Sequence, residues 1–311
     1  MMDSLPQVFT HDDFPTQVRV YEVSARDGLQ AESLTLPAEV RAQLISRLAD
    51  SGLKSIEAGS FVSPQAVPQM ADTRSVLDEL DLDSDISYPV LVPNQRGLAD
   101  AMSAGAKDIA VFVSVTEAFS RANLGDSLEV TTARNLDVAA AATSAGMRVR
   151  GYLSMVFGDP WEGPVDPQRV VTASHRLLEA GCSSLSLGDT IGTATPGHVT
   201  AVLQALIDDV IPVESIALHT HNTYGQALAN VYAALQLGVT EFDASAGGVG
   251  GCPFAGSATG NLATEDLLWM LDGLGISTGV NIRAVAETSQ WLSQQLGKPL
   301  ASATSAAIVN Q

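Results

Sequence analysis

From Arg19 onward the chain alternates short apolar or β-branched runs with longer, alanine-rich amphipathic stretches, the pattern of repeated βα units around a parallel sheet. Eight candidate strands can be drawn: Arg19–Val23, Ser55–Glu57, Ile86–Val92, Asp108–Val115, Val149–Met155, Ser184–Leu187, Ser215–His219 and Glu241–Ser245. Helical periodicity fills the intervals over Pro37–Asp50, Asn94–Ala104, Leu128–Ala145, Pro167–Ala180, Pro196–Ile211 and Tyr224–Leu237, and again over Ala263–Leu274. Five αβ junctions repeat one phrase: ADSGLKSIE, MSAGAKDIA, TSAGMRVR, LEAGCSSLS and LQLGVTEFD. Glycine there adopts cheaply the left-handed conformation that stops a helix, and the next apolar residue leads into a strand. The repetition predicts an α/β fold, a closed (β/α)8 TIM barrel over about residues 19–274. A helical extension over about 280–297, with its helix at Ile282–Leu296, is expected to pack beside the barrel, so that 1–311 forms a single catalytic domain. A doubly wound open sheet is the alternative, but it does not naturally need eight units.

With 46% hydrophobic and 16% charged residues, the chain has the composition of a globular protein with a large core. Its 35 acidic and 16 basic residues give a formal net charge of −19, which repels a polyanionic backbone and argues against nucleic acid as a partner. The same field disfavours an anionic small substrate unless a metal ion or a focused arginine offsets it locally. Most of the acidic excess reads as solvated surface. Two cysteines, Cys182 and Cys252, without CxxC spacing, suggest neither a disulfide framework nor a thiolate zinc site and fit a reducing cytoplasm. The N-terminal stretch has no apolar signal region, and no run reaches the roughly 18 apolar residues of a membrane span. A homo-oligomer, dimer or tetramer, is the expected assembly.

In a barrel of this kind the chemistry sits on the loops that follow the strands. The polar, glycine-rich stretches fall there: SARDGLQAE, EAGSFVSP, GDTIG, HTHNTYGQ and AGGVGGCPFAGSATGN. His219 and His221 are separated by one residue at the end of a strand, so both imidazoles can face one ion. The plainer reading is a pair of hydrogen-bonding histidines. Asp27 after the first strand and Asn261 after the last become their neighbours once the barrel closes. Two ring nitrogens, a carboxylate and an amide oxygen suit Mg2+ or Mn2+ better than a closed zinc site, with zinc or cobalt as alternatives. Arg26 cannot act as a base, but it can hold an oxyanion or enolate; otherwise it forms an inter-loop salt bridge. Glu22, Glu57 and Asp189 add carboxylates to the same rim, some of them to orient Arg26 or the metal ligands, and Glu22 and Glu265 are expected to support the ligands from behind. The stretch Gly247–Asn261 reads as a lid, with Cys252 either lining the closed site or filling space. Cys182 reads as a core residue.

Read together, VSARDGLQAE (23–32), IEAGSFVSPQAVPQMAD (56–72), YPVLVPN (88–94), SLGDTIGTATPG (186–197), LHTHNTYGQALAN (218–230) and GGVGGCPFAGSATGNLATEDLLWML (247–271) resemble the 3-hydroxy-3-methylglutaryl-CoA lyases. These belong to a barrel family of metal-dependent lyases and synthases that also contains isopropylmalate synthase. The likeness runs from about Arg19 to Leu296, with the motifs in family order. It implies that Asp27, His219, His221 and Asn261 bind a divalent cation and that Arg26 neutralises an enolate. It further implies that Glu57 and Asp189 belong to the substrate site and that Cys252 is the lid cysteine. The implied reaction is a retro-Claisen cleavage of 3-hydroxy-3-methylglutaryl-CoA to acetoacetate and acetyl-CoA, as in leucine degradation or ketone-body metabolism. A lyase for a related branched acyl-CoA, or a Claisen-type synthase, is the alternative. Asp159 within GDPWEG, Thr220 and Asn222 within HTHN, and Ala58-Gly59 within EAGSF depart from the family pattern, and the expectation is that they alter the pocket wall and the surroundings of the metal.

Overall fold

Alternation along each strand separates two faces of one parallel sheet. The computed structural model describes residues 6–251 and 260–309. Nine strands are present: β1 (Arg19–Glu22), β2 (Ser55–Ile56), β3 (Gly59–Ser60), β4 (Val90–Leu91), β5 (Asp108–Ser114), β6 (Arg148–Ser154), β7 (Ser184–Asp189), β8 (Ile216–Thr220) and β9 (Glu241–Ala244). They pair in parallel in the order β2-β1-β9-β8-β7-β6-β5-β4-β3. β2 and β3 are two halves of the expected second strand. Between them Glu57 N donates to Glu22 O on one side (2.9 Å) and Ala58 N to Pro89 O on the other (2.8 Å). One short stretch therefore joins both ends of the row, and the sheet closes into a barrel.

Two expected strands are shorter than drawn, for local reasons. The second breaks where its hydrogen bonds pass from β1 to β4, and the third is continuous strand at Val90–Leu91, between Pro89 and Pro93, which lack an N–H, with isolated pairing before it at Ser87. A short helix at Thr73–Asp78 was too brief to show a period. It packs directly on β3, where a Cβ on Gly59 would come within 2.6 Å of Thr73 Oγ1. The remaining expected helices occur at Ala38–Asp50, Gln95–Ser103, Leu128–Ser144, Pro167–Glu179, Pro196–Asp208, Ala227–Gln236, Thr264–Gly273 and Ile282–Leu296. The last is followed by a second, unanticipated one at Ala303–Val309. Among the described residues no helix is long and apolar enough to cross a membrane.

The outer face of the sheet is apolar and carries the main core: Val149 and Leu153 of β6, Leu185 and Leu187 of β7 and Phe242 of β9 pack with helix residues such as Leu177, Val202 and Val231. Alternation turns the intervening residues inward. Arg150 and Tyr152, Ser186, His219 and Asp243 thus share the barrel interior, where contacts between Arg150 and Asp243 cross from β6 to the non-adjacent β9. Parallel barrels usually fill this space with branched apolar side chains. Here a layer of charge fills it.

The five junction glycines, Gly52, Gly105, Gly146, Gly181 and Gly238, all have positive φ between 80° and 104°. Gly181 is also tightly enclosed: a Cβ would lie 2.5 Å from Thr143 Oγ1, whereas one on Gly146 would meet nothing within 4 Å. Gly146→Ala should therefore cost only the left-handed backbone penalty, about 1–2 kcal/mol. Gly181→Ala should cost at least about 1 kcal/mol more, since overpacking adds its own penalty. Urea unfolding of the two variants decides this, and equal losses would show that backbone conformation alone sets the cost.

Candidate active site

Asp27 sits in the turn Ser24–Gly28 that leaves β1, His219 near the end of β8, and His221 just beyond it. One donor atom from each lies within 4.8 Å of the other two. His219 Nε2 is 3.1 Å from His221 Nε2 and 4.0 Å from Asp27 Oδ2. Asn261 joins them through a backbone bridge to His221. Its amide nitrogen donates to Asp27 Oδ2 (2.9 Å) and to Val249 O (3.2 Å). The four expected ligand residues are thus brought together.

Whether this group could hold a cation depends on the chemistry of its free atoms. Among the described residues, Asn261 Oδ1 is buried without a hydrogen bond of ordinary geometry. His219 Nδ1 lies 3.2 Å from Asp243 Oδ2; a carboxylate only accepts, so the ring hydrogen sits on Nδ1 and Nε2 is turned to the cluster. An unsatisfied amide oxygen, two converging ring nitrogens and a carboxylate form the mixed donor set that a divalent cation satisfies. Burial works against charge on Asp27, but Arg26, His219 and His221 hold its carboxyl at about 2. Burial and then His219 push His221 down to about 4, which keeps it neutral. Burial also works against charge on His219, yet Asp243 and Asp27 raise its pKa. Without a cation, a protonated His219 can donate to His221 across the 3.1 Å contact; binding a cation would release that proton.

Arg26, 6% exposed, borders the same cleft. Its Nε donates to Glu57 Oε2 (2.6 Å), its Nη1 donates to Asp27 Oδ1 (2.8 Å), and its guanidinium carbon lies 5.3 Å from the Tyr152 ring centre. Burial opposes the positive charge, but Glu57 and Asp27 raise the pKa, so Arg26 stays cationic. The cleft, of about 500 Å3, is bordered by Arg26, Asp27, Tyr152, His219, His221 and Lys298. In a chain of net charge −19, this supplies the local cation that an anionic ligand needs.

Other expected residues take different places. Glu57 is fully buried and does not border the cleft; it holds Arg26, and burial raises its own pKa while Arg26 draws it back. Asp189 is also set back, capping its own turn by accepting from Ala194 N (3.1 Å), and burial raises its carboxyl to about 6. Glu22 and Glu265 touch none of the four clustered residues. Glu22 accepts from Ser24 N, Ala246 N and Thr264 Oγ1, and Glu265 from Gly247 N, so both brace the loop after β9. Cys252 lies outside the described residues. Cys182 is a core thiol whose pKa burial raises to about 12.

The departures from the family pattern do not border the cleft wall, although Thr220 and Asn222 flank His221 in the chain. Asp159 accepts from Thr116 Oγ1 and from Trp161 N and Glu162 N, a turn cap. Asn222 accepts from Ala227 N at the start of a helix. Gly59 answers to Thr73, as above. The ends of the glycine-rich loop are packed: a Cβ on Gly260 would come within 2.1 Å of Gly248 O, and one on Gly250 within 2.5 Å of Asn261 Nδ2. At these ends glycine permits two backbones to cross. Three residues at or behind the cleft escaped the sequence reading: Asp243, which holds His219 from inside the barrel, and Tyr152 and Lys298 on the cleft itself. The signal for the first two was the in-out alternation of RVRGY and EFD, legible once the inside of the barrel is allowed to be polar.

Burial, with Glu22 nearby, raises Glu265 to about 7, well above the usual glutamate value. A folded-state pKa raised in this way contributes stability that is full below the unfolded value of about 4.3 and is lost as pH rises through about 7. The stability of the native chain relative to Glu265→Gln should therefore fall between about pH 4 and pH 7 and level off above, by up to about 4 kcal/mol at about 1.4 kcal/mol per unit. Urea midpoints across that range test it, and parallel curves would refute it.

A family model described as HMGL-like matches residues 17–292. The mitochondrial hydroxymethylglutaryl-CoA lyase of Mus musculus is 48% identical over 288 residues, covering 93% of this chain and 88% of the relative. The crystal structure of hydroxymethylglutaryl-CoA lyase from Pseudomonas aeruginosa superposes with a TM-score of 0.93 at 42% identity, covering 96% of this chain and 99% of that one. An HMG-CoA lyase from an Acinetobacter species, solved with coenzyme A and 3-methylmalate, gives a TM-score of 0.89 at 34% identity over 96% of this chain and 97% of its own. With a matching model over most of its length and relatives this similar along nearly all of it, the chain belongs to the HMGL-like family.

Proposed function

We infer that the chain is a carbon–carbon lyase that cleaves 3-hydroxy-3-methylglutaryl-CoA to acetoacetate and acetyl-CoA. The observation that carries this reading is the convergence of Asp27, His219 and His221 beside the Arg26 guanidinium on one cleft. Asp27, His219, His221 and Asn261 would hold Mg2+ or Mn2+, with Asp27 one-quarter exposed on the cleft side so that substrate oxygens can complete the set. When bound, the cation supplies Lewis-acid polarisation of the substrate's tertiary alcohol and carboxylate. Loss of the hydroxyl proton lets the C–O bond become a carbonyl as the adjacent C–C bond breaks, and the electron pair passes to the acyl-CoA carbon. Arg26, fixed by Glu57 and Asp27, meets the negative charge that develops on the thioester oxygen. A proton returned to carbon then completes acetyl-CoA. Lys298, on the cleft rim and paired with Glu32, adds positive charge for the anionic coenzyme. Cys252 retains the lid role implied by the resemblance, the assembly is a dimer or tetramer, and the compartment is the reducing cytoplasm.

Two tests follow. Chelation should abolish cleavage of 3-hydroxy-3-methylglutaryl-CoA, and Mg2+ or Mn2+ should restore it; full turnover in excess chelator would remove the cation from the reaction. A panel of branched 3-hydroxyglutaryl-CoA analogues fixes the acyl preference, and faster cleavage of another member would reassign the substrate within the same chemistry. Arg26→Lys should keep the fold and most of the Mn2+ affinity but lower kcat by about 100-fold or more, since a lysine point charge cannot reproduce the guanidinium fork. A near-native kcat with only a raised KM would make Arg26 an anchor for the substrate instead.

A further inference from the structure

Arg150 does not border the cleft, yet it is 5% exposed inside the barrel and engages two carboxylates at once. Its Nη1 pairs with Glu241 and its Nη2 with Asp243 Oδ1. These acids are two residues apart on β9 and so share its inner face. Beneath the fork, Tyr21 of β1 lies with its ring centre 4.0 Å from the guanidinium carbon, closing off any swing in that direction. Glu241 is held from the other side by Arg19 at 2.8 Å. Asp243 Oδ2 takes Ser186 Oγ at 2.8 Å and His219 Nδ1 at 3.2 Å.

We propose that Arg150 is a positioning residue for the cation site: by clamping Asp243 at Oδ1, it keeps Oδ2 aimed at His219 Nδ1 and so fixes the ring form that presents Nε2 to the cluster. The proposal rests on the reading of Asp27, His219, His221 and Asn261 as cation ligands. The geometry requires a fork. A guanidinium presents separate N–H groups to the two acids, while an ammonium on the same strand is a single point charge. Without Arg150, Oδ1 loses the one donor it has among the described residues, in a residue only 1% exposed to water. The carboxylate would then be held at one oxygen, by Ser186 and by the very ring it has to orient. Partners of metal-ligating histidines that fix the ring in this way are typically worth about 10–100-fold in metal affinity.

The test uses the full chain and its Arg150→Met and Arg150→Lys variants, with two measurements on each. The tautomer of the neutral His219 ring is read from 15N shifts of the metal-free protein in mildly alkaline buffer, and Mn2+ affinity is read by electron paramagnetic resonance. The native chain should show Nδ1–H alone. Arg150→Met should show a mixture of tautomers and a Kd for Mn2+ weakened about tenfold or more. Arg150→Lys should fall between them. A purely structural role would lower thermal stability without moving the tautomer, so a native tautomer with native Mn2+ affinity in either folded variant overturns the inference. If Arg150→Met does not fold, Arg150→Lys, which keeps a buried cation, decides alone. Should the native chain bind Mn2+ no better than a His219→Ala/His221→Ala double variant, the cation reading fails, while the tautomer comparison still judges Arg150.

Discussion

A charge enclosed by a barrel has to meet a countercharge there, because leaving one partner unpaired in the interior costs several kcal/mol. The protein meets this demand with one continuous series. Arg19 pairs with Glu241, Glu241 with Arg150, Arg150 with Asp243, and Asp243 with His219. From His219 the series runs to Asp27, then Arg26, then Glu57. It climbs from one end of the barrel to the cleft, with signs that mostly alternate. Arg26 and the histidines are therefore not separate installations on a neutral scaffold. They form the upper end of a polar column whose middle, Arg150 and Asp243, is buried in the barrel, so orientation at the site is set by contacts below it.

Closure of the sheet makes that column possible. Glu57 occupies the point where the second strand hands its hydrogen bonds from β1 to β4, and its amide donates to Glu22 O. The break that looks like a defect in the strand thus brings a carboxylate inward beneath Arg26. It also explains why Glu57, placed at the substrate by resemblance, holds the arginine in this structure: its Oε2 lies 2.6 Å from the guanidinium in a fully buried position.

The repeated unit was legible because it depends on local chemistry. Glycine at each αβ junction, apolar runs of strand length and amphipathic helices are all set within about ten residues, and the structure follows them closely. The clustering of Asp27, His219, His221 and Asn261 was legible for a related reason: histidines two apart on a strand share a face, and closure of a barrel is enough to bring the first and last loops beside them. Asp243 and Arg150 were harder to see. Charge inside a parallel barrel runs against the usual apolar filling, so EFD and RVRGY read as strand ends with surface charges until their inner faces are placed opposite each other. Glu22 and Glu265 were expected behind the ligands, but spacing along the chain does not reveal which groups they hold, the amides of Ser24, Ala246 and Gly247 and the Thr264 hydroxyl.

Those loop amides show how the C-terminal extension enters the site. Gly247 N is held by Glu265, while its carbonyl accepts from Ala301 N at 2.9 Å and Ser302 N at 3.2 Å. A Cβ on Gly247 would lie 2.3 Å from Leu300 Cδ1, so only glycine lets the two segments meet. The stretch just before this contact carries Lys298 to the cleft rim. The helix Ile282–Leu296, which packs against Ala38–Asp50, therefore does more than cover the outside of the barrel. It returns the chain to the catalytic end, where Lys298–Ser302 anchors the near end of the glycine-rich loop and adds a cation to the cleft, while Asn261 ties the far end to Asp27. The near end of that loop is thus fastened to the C-terminal extension and the far end to Asp27, which couples the extension to the cleft through the loop between them.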